Sequence, residues 1–544
     1  MADSPELNWE LIRKKNYVER LKFEKQPLDL AAELPELTAR GYEDVSEEDI
    51  VRLQWFGLYH DKPKVGRFML RVKTPGGILT PAELRTISEV SRQYGGSYGE
   101  LTTRQNIQLH SLEFGALPEI LEVLRAGGLT TLGACGDAVR NVTGCPVSGL
   151  AKDELFDTRP IVAEVARYFT GNREYSDLPR KHKITISACA HQCNAPEIHC
   201  VALSGVFRSG EPGFSLRVGG GLSTWPRISD DLGVFVPVAD TLPVLRAILD
   251  LWKEDLESRR SRAKARLKFM VDRVGPAAFR QRIEERLGAP LTDGAPASLP
   301  AAEHDHIGIA PQKQDGLFLA GFPVFLGLAN ADQLAAIAEV TESYGGGIRL
   351  TRRQNFILTD IPEAKLEDVV ARVEELGFRM DGGGLRASSI ACTGEPFCNF
   401  SVSETKHKLA EIVEHLEATF GERVSGLRLN LDGCPHSCAH HWIGDIGLQG
   451  TTLRERGPAG ERLRGYDLFL RGGLGANAAI GRPVFRRVSA EEVHLVIEKL
   501  LVGYFDRRQG EESVQQFFQR MSDQDLLSLG GFDVSQGVEA DVAV

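Results

Sequence analysis

Four cysteines in the second half of the chain, Cys392 and Cys398 in ACTGEPFCN and Cys434 and Cys438 in DGCPHSCAHH, form a C-x5-C and C-x3-C set whose chemistry is thiolate ligation. Soft thiolates hold iron-sulfur clusters, and two short-range pairs brought together by one fold can occupy the four corners of a cubane. Tetrahedral zinc is the alternative, although zinc pairs are usually joined by tighter C-x2-4-C knuckles. The expected compartment is the cytoplasm. MADSPELNWELIRKKN lacks the apolar stretch of a secretory leader, and no run approaches a membrane span, so nine cysteines read as metal or redox residues and not as disulfides. A net charge of -11 argues against nucleic acid as a partner.

The elements that must position these ligands come in two copies. SRQYGGSYGELTTRQNIQL (91–109) returns as TESYGGGIRLTRRQNFIL (341–358), GRFMLRV from Gly66 as GLFLAGF from Gly316, and ISACAHQC from Ile186 as LDGCPHSC from Leu431. GFSLRVGGGLST from Gly213 meets GYDLFLRGGLGA from Gly465. Copies of about 250 residues are too long for a solenoid and imply a pseudo-twofold molecule with one site between its halves. Each copy reads as an apolar strand, an amphipathic helix such as PAELRTISEVSRQYG, a second strand through TTRQNIQLH, and a helix such as LPEILEVLRAGG. This small βαβ-type layer then continues into a larger α/β segment. The boundaries expected are an N-terminal extension over 1–60 that wraps the body, small half-domains over 61–130 and 307–386, and larger domains over 131–287 and 387–544. A Pro-, Ala- and Gly-rich linker covers 288–306.

The copies have diverged in opposite senses. Aligning ACGDAVRN with ACTGEPFCN sets Cys135 opposite Cys392 and Asn141 opposite Cys398, while Cys189 and Cys193 face Cys434 and Cys438, so only the second copy has the full quartet. Cys145 and Cys200 read as buried small residues, with a second cluster through either as the alternative. Cations are concentrated in the first copy: Arg71 faces Gly321, Lys181 faces Gly426, and Arg140 lies beside a stretch whose counterpart GEPF carries none. Lys181 and Lys183 sit two apart on an expected strand and leave the same face. Several cations converging on one cleft repel unless an anion compensates them.

These residues resemble the sulfite and nitrite reductases that couple sirohaem to a [4Fe-4S] cluster, over roughly residues 45–530, with the cysteine pattern, both Gly-rich strands, TTRQN and LPRK-x-K in the family's order. The resemblance implies a mixed α/β fold, internally duplicated, with two ferredoxin-like half-domains forming one unit and two larger α/β domains. It implies that Cys438 bridges the cluster and the sirohaem iron, and that Arg71, Arg140, Lys181 and Lys183 bind the substrate oxyanion. Thr102, Arg104, Gln108 and Arg180 resemble the family's contacts to the sirohaem carboxylates, and Arg266 in the basic helix RRSRAKARLKFM is a further candidate, with a solvated helix face as the alternative.

K-x-K at Lys181 and Lys183 resembles sulfite reductases, whereas nitrite reductases resemble K-x-N, and a second ammonium suits a doubly charged anion better. In one ferredoxin-dependent subgroup a tyrosine is joined covalently to the cysteine of ACGD, and both partners are present as Tyr59 and Cys135. NVTGCPVSGL and FDTRP resemble the nitrite-reducing members. The primary expectation is six-electron reduction of sulfite to sulfide with electrons from ferredoxin, and the alternative is reduction of nitrite to ammonia. GGGLST (219–224) and GGLGAN (472–477) lack the dinucleotide glycine spacing, so a carrier protein is expected as donor in place of pyridine nucleotide. From another class, a zinc-stabilised, non-catalytic binding protein on a duplicated scaffold also fits the thiolate pattern.

Overall fold

The repeat folds as two five-stranded antiparallel sheets that exchange strands. In the first, the order is Leu58–His60, Arg67–Val72, Ile107–Glu113, Tyr98–Leu101 and then Leu328–Asn330, which belongs to the second copy. In the second, the order is Gly308–Pro311, Leu317–Phe322, Phe356–Pro362, Gly347–Leu350 and then Ile78–Leu79, which belongs to the first. Ala329 registers with Gly99, and Leu79 with Ile348, so each copy closes the other's sheet edge. The helices Pro81–Tyr94 and Ala331–Glu342 pack on each other, each opened by a capping box, at Thr80 with Glu83 and at Asn330 with Gln333. Leu70, Ile107 and Leu109 share one apolar core with Ala320, Ile348 and Leu358. The expected βαβ layer is thus an antiparallel ferredoxin-like sheet, and in the segment TTRQNIQLH only IQLH is strand, TTRQN being the turn that joins it to Tyr98–Leu101.

The computed structural model describes residues 7–300, 303–380 and 384–532. The chain divides into one unit of Met1–Gly221 with Arg227–Met380 and another of Leu222–Pro226 with Asp381–Val544. Both ferredoxin-like halves therefore lie in the first unit. That unit also holds a six-stranded sheet in the order Thr292–Asp293, Asp230–Pro237, Glu211–Val218, Val201–Arg208, Ile184–Ser187, Thr143–Gly144. The second unit has the sheet Ile390–Ala391, Leu429–Asp432, Ile446–Arg456, Arg462–Leu470, Arg482–Ser489. In both, two parallel pairings lead into two antiparallel ones, which is the duplication at the level of topology.

Two segments do more than the sequence suggests. The N-terminal helices Trp9–Lys15 and Tyr17–Glu24 are fixed by a buried ion cluster in which Glu19 pairs with Lys22 at 2.5 Å and Arg259 at 2.7 Å. Trp55 Nε1 donates to the Ser176 carbonyl at 2.7 Å. The stretch expected as a linker adds Thr292–Asp293 to the edge of the six-stranded sheet, and its end enters the protein body. Among the described residues no helix is long and apolar enough to cross a membrane.

Candidate active site

The TTRQN turn is built by its own polar residues. Thr102 Oγ1 accepts from the Arg104 and Asn106 backbone N–H groups at 3.3 and 3.1 Å, and Gln105 adopts the left-handed region at φ 54°. Gln105 Nε2 donates to the Leu350 carbonyl at 3.0 Å, and in mirror image Gln354 Nε2 donates to the Leu101 carbonyl at 2.8 Å. Gly77 must be glycine here, since at φ 72° a Cβ would overlap the Leu350 carbonyl. These contacts pin both turns to the strand exchange.

Arg104 enters a cluster of cations. Its Nη1 lies 2.9 Å from His199 Nε2 and its Nη2 donates to the Asn141 carbonyl, while Nε is buried without a hydrogen-bond partner. Burial and then the charges of Arg140, Arg266 and Arg71 pull Arg104 down to about 9, so it stays charged at neutral pH. Arg71 donates to Gln108 Oε1 at 2.9 Å and to Cys135 Sγ at 3.3 Å. Arg140, buried, donates to the carbonyls of Gly136 at 2.8 Å and Ala134 at 3.0 Å. Arg266 Nη2 lies 3.1 Å from Cys200 Sγ, and its Nε is also buried and unpartnered.

The lysines precede the strand on which they were expected, which begins at Ile184. They still flank the fully buried His182 in an extended stretch bridged to Val139, so both remain on the opposite side from it. Burial, then Arg104, Lys181 and Arg266, hold the Lys183 ammonium well below the ordinary lysine range. One carboxylate answers part of this charge. Burial pushes Asp137 up, but Arg262 at 2.6 Å and Arg180 at 3.2 Å overcome it and keep it ionised. Tyr59, in the strand Leu58–His60, contributes electrostatically to both Arg180 and Arg262. The structure thus gathers Arg71, Thr102, Arg104, Gln108, Cys135, Arg140, Arg180, Lys183 and Arg266 into one neighbourhood of the first unit.

The corresponding turn of the second copy is closed from within. Arg352 pairs with Glu303, Arg353 lies 3.5 Å from the same carboxylate, and Asp305 lies 3.7 Å from Arg353 Nε. Gly321, which faces Arg71 in the alignment, gives way to the chain here, because a Cβ would overlap the His306 carbonyl oxygen. The linker end therefore fills the space that stays cationic in the first copy.

In the second unit the quartet sits at the carboxyl ends of adjacent parallel strands. Cys392 follows Ile390–Ala391 and continues the ladder by donating its N–H to the Leu431 carbonyl at 3.1 Å, and Cys434 follows Leu429–Asp432. Asp432 shapes the C-x3-C loop, accepting from Ala439 N–H at 2.7 Å, His441 N–H at 3.1 Å and His441 Nδ1 at 2.9 Å. Cys392 and Cys398 are half-buried, Cys434 is buried and Cys438 exposed. The thiols act on one another. Burial, then Asp432 and Cys438, push Cys392 well up, and burial with Cys438 raises Cys434 to about 12. Two buried thiols, Cys392 and Cys434, that resist ionisation unaided fit a strongly cationic iron centre.

Strand register corrects one alignment. Thr143–Gly144 pairs with Thr185 and Ile186 in parallel, as Ile390–Ala391 pairs with Asn430 and Leu431. The residue after the first strand is Cys145 in one case and Cys392 in the other, so Cys145, not Cys135, is the counterpart of Cys392. The fourth position, six residues on, is Ala151, not Asn141. Local similarity of ACGD to ACTG misled the sequence comparison, because pairing is decided by the ladder and not by neighbouring letters.

Sequence reasoning also missed Lys73, Asp137, His199, Arg262, Lys268 and Glu303. Lys73 is brought down to about 7 by burial and then by Arg140 and Arg104, and Lys268 to about 7 by burial and Arg266. Arg262 and Lys268 lie in RRSRAKARLKFM, and the alternation of its basic residues with Ala265, Leu267 and Met270 was the one signal that could have marked them.

The family described as the nitrite and sulphite reductase 4Fe-4S domain matches residues 135–291 and 382–527, and the nitrite/sulfite reductase ferredoxin-like half domain matches 60–127 and 310–376. The chain is 36% identical over 502 residues to a ferredoxin–nitrite reductase of Synechococcus elongatus, covering 90% of this chain and 97% of that protein. It is 34% identical over 538 residues to a sulfite reductase [ferredoxin] of Mycobacterium tuberculosis, covering 94% and 96%. A solved structure of the Mycobacterium tuberculosis NirA protein superposes with a TM-score of 0.90 at 32% identity, over 96% of this chain and all of that one. Two tandem 4Fe-4S domains and two tandem half domains, in the order that the internal repeat requires, place the chain in the nitrite and sulphite reductase family.

Proposed function

We propose that this protein reduces sulfite to sulfide with electrons from ferredoxin, with nitrite to ammonia as the second reading. The observation that carries the anion-reductase reading is the cation cluster of the first unit. Arg104, Arg140, Lys183 and Arg266 crowd together, and the carboxylate of Asp137 is engaged by Arg180 and Arg262. Such a site is compensated by ligands that are themselves anionic. Sirohaem fits it, because its many carboxylates suit the buried, unpartnered Nε atoms of Arg104 and Arg266. Arg104, Gln108, Arg180 and Arg266 would hold the macrocycle, with Thr102 fixing the turn that carries Arg104. Cys392, Cys398, Cys434 and Cys438 would hold the [4Fe-4S] cluster, and Cys438 is the one that the family resemblance would also give to the sirohaem.

When bound, the coupled sirohaem and cluster supply storage and delivery of single electrons. The chain's own residues bind the oxyanion and move protons. Arg71, Arg140 and Lys181 would stabilise the anion, and Lys183, whose ammonium is depressed by burial and then by its cationic neighbours, gives up a proton more readily than an ordinary lysine. The second ammonium of K-x-K favours the doubly charged substrate. The relatives include both a nitrite and a sulfite reductase, and this is what supports the second reading.

The domain limits proposed are those set out from the sequence, and the proposed location is the cytoplasm. Steady-state kinetics with reduced ferredoxin on one preparation should give sulfite the higher kcat/KM, and a higher value for nitrite would reverse the substrate assignment. We also propose the bond between Tyr59 and Cys135, formed as one ring C–H and the thiol S–H give up two protons and two electrons to dioxygen, so that the joined peptide is lighter by two hydrogens. Peptide mapping under reducing conditions should recover them on one branched peptide, and recovery only on separate peptides would reject the bond alone.

A further inference from the structure

The first copy has lost its place in the cluster, yet its thiols remain grouped. By strand register Cys145, Cys189 and Cys193 stand where Cys392, Cys434 and Cys438 stand in the second copy. The fourth thiol is replaced by Ala151, which packs against the group. A residue from the linker end, His306, joins the group, its Nε2 3.2 Å from Cys193 Sγ. The ligand atoms of Cys145, Cys193 and His306 all lie within 4.8 Å of one another, and the Cys189 thiol is hydrogen-bonded to that of Cys145. All three cysteines are buried.

We propose that the first half holds a metal centre of its own, a single zinc-class ion bound by Cys145, Cys189, Cys193 and His306. For Cys145, Cys193 and His306 the spacing selects a mononuclear site, since metal–sulfur bonds of about 2.3 Å place tetrahedral ligands roughly 3.8 Å apart, whereas a cubane sets its thiolates on separate irons; Cys189, in contact with Cys145, would move in as the fourth ligand. Packing alone does not account for the arrangement. His306 is held in the left-handed region at φ 55°, a conformation that a non-glycine residue keeps only when its surroundings impose it. Gly321 makes room for its carbonyl, and Arg352 donates to the Cys193 carbonyl at 3.0 Å behind the ligand. Binding would release the thiol protons to solvent and change no oxidation state. The centre would clamp the linker end to the six-stranded sheet, so its role is structural.

Zinc and iron should be counted in holoenzyme loaded with sirohaem and cluster, purified from zinc-supplemented cells, and the zinc environment read by X-ray absorption at its K-edge. The expected result is about one zinc per chain with three sulfur neighbours and one nitrogen. His306→Ala and Cys145→Ser should each reduce zinc at least about tenfold while iron content and haem absorption persist. The proposal is overturned by zinc at trace level in the wild-type holoenzyme, by a zinc shell of oxygen and nitrogen, or by undiminished zinc in both variants. A second iron-sulfur cluster in its place would equally overturn it. The wild-type measurement stands even where a variant fails to fold.

Discussion

The two TRQN turns share a backbone and differ in who supplies the negative charge. At TTRQN, Arg104 looks onto further cations and a thiol, while at TRRQN, Arg352 and Arg353 are met by Glu303 and Asp305 from the chain itself. On the proposed function, the first turn draws its negative charge from a bound ligand, whereas the second draws it from carboxylates of its own chain.

The largest effect should come from exchanging one thiol in each half. Cys438→Ser should lose the cluster-to-haem coupling and lower turnover about a thousandfold or more, because serine is a hard, weak ligand for this iron. Cys193→Ser should leave cluster iron and most activity in place. Equal iron loss in both variants, measured by iron content and electron paramagnetic resonance, would erase the distinction between the halves.

Next come the charges. Glu303→Gln leaves Arg352 and Arg353 without their shared carboxylate and should cost about 3 kcal/mol of stability in denaturant unfolding. Arg104→Ala should do the reverse, lowering sirohaem occupancy without destabilising the haem-free protein, since it relieves repulsion. If Arg104→Ala destabilises the haem-free protein as much as Glu303→Gln, the first turn is not an anion-requiring site.

A smaller effect sharpens the substrate assignment. Lys183→Asn should reduce sulfite kcat/KM about tenfold to a hundredfold, the range of one or two charge-assisted contacts, and nitrite less. Equal losses would make Lys183 a general support. Smallest is a fractional proton. Because burial and then Arg104, Lys181 and Arg266 hold the Lys183 ammonium below the ordinary lysine range, anion binding should take up a fraction of a proton, and affinity should be fullest at low pH and fall as pH rises through the depressed lysine value. Calorimetry in buffers of different ionisation enthalpy reads this directly, and a buffer-independent heat would remove the proton role.

Most of this scheme was legible in the sequence because the repeat is written in turn chemistry. TTRQN and TRRQN repeat the residues that build the turn, and Arg71 and Lys181 stand out because Gly321 and Gly426 face them in the other copy. What stayed hidden depends on long-range pairing. Cys145 could not be matched to Cys392 without the ladder, and Glu303, in a segment with weak periodicity and many prolines, gives no sign that it is half-buried against an arginine. The exchanged strands Ile78–Leu79 and Leu328–Asn330 are too short to announce a partner.

That exchange has a consequence for the birth of the protein. The edge strand Tyr98–Leu101 gains its neighbour Leu328–Asn330 only when the second copy has left the ribosome, roughly 10–50 s later at usual elongation rates. Throughout that interval the first sheet carries an open edge and part of a core meant for two. The nascent first half is thus a natural client for chaperones, and it cannot be excised later as an independent module.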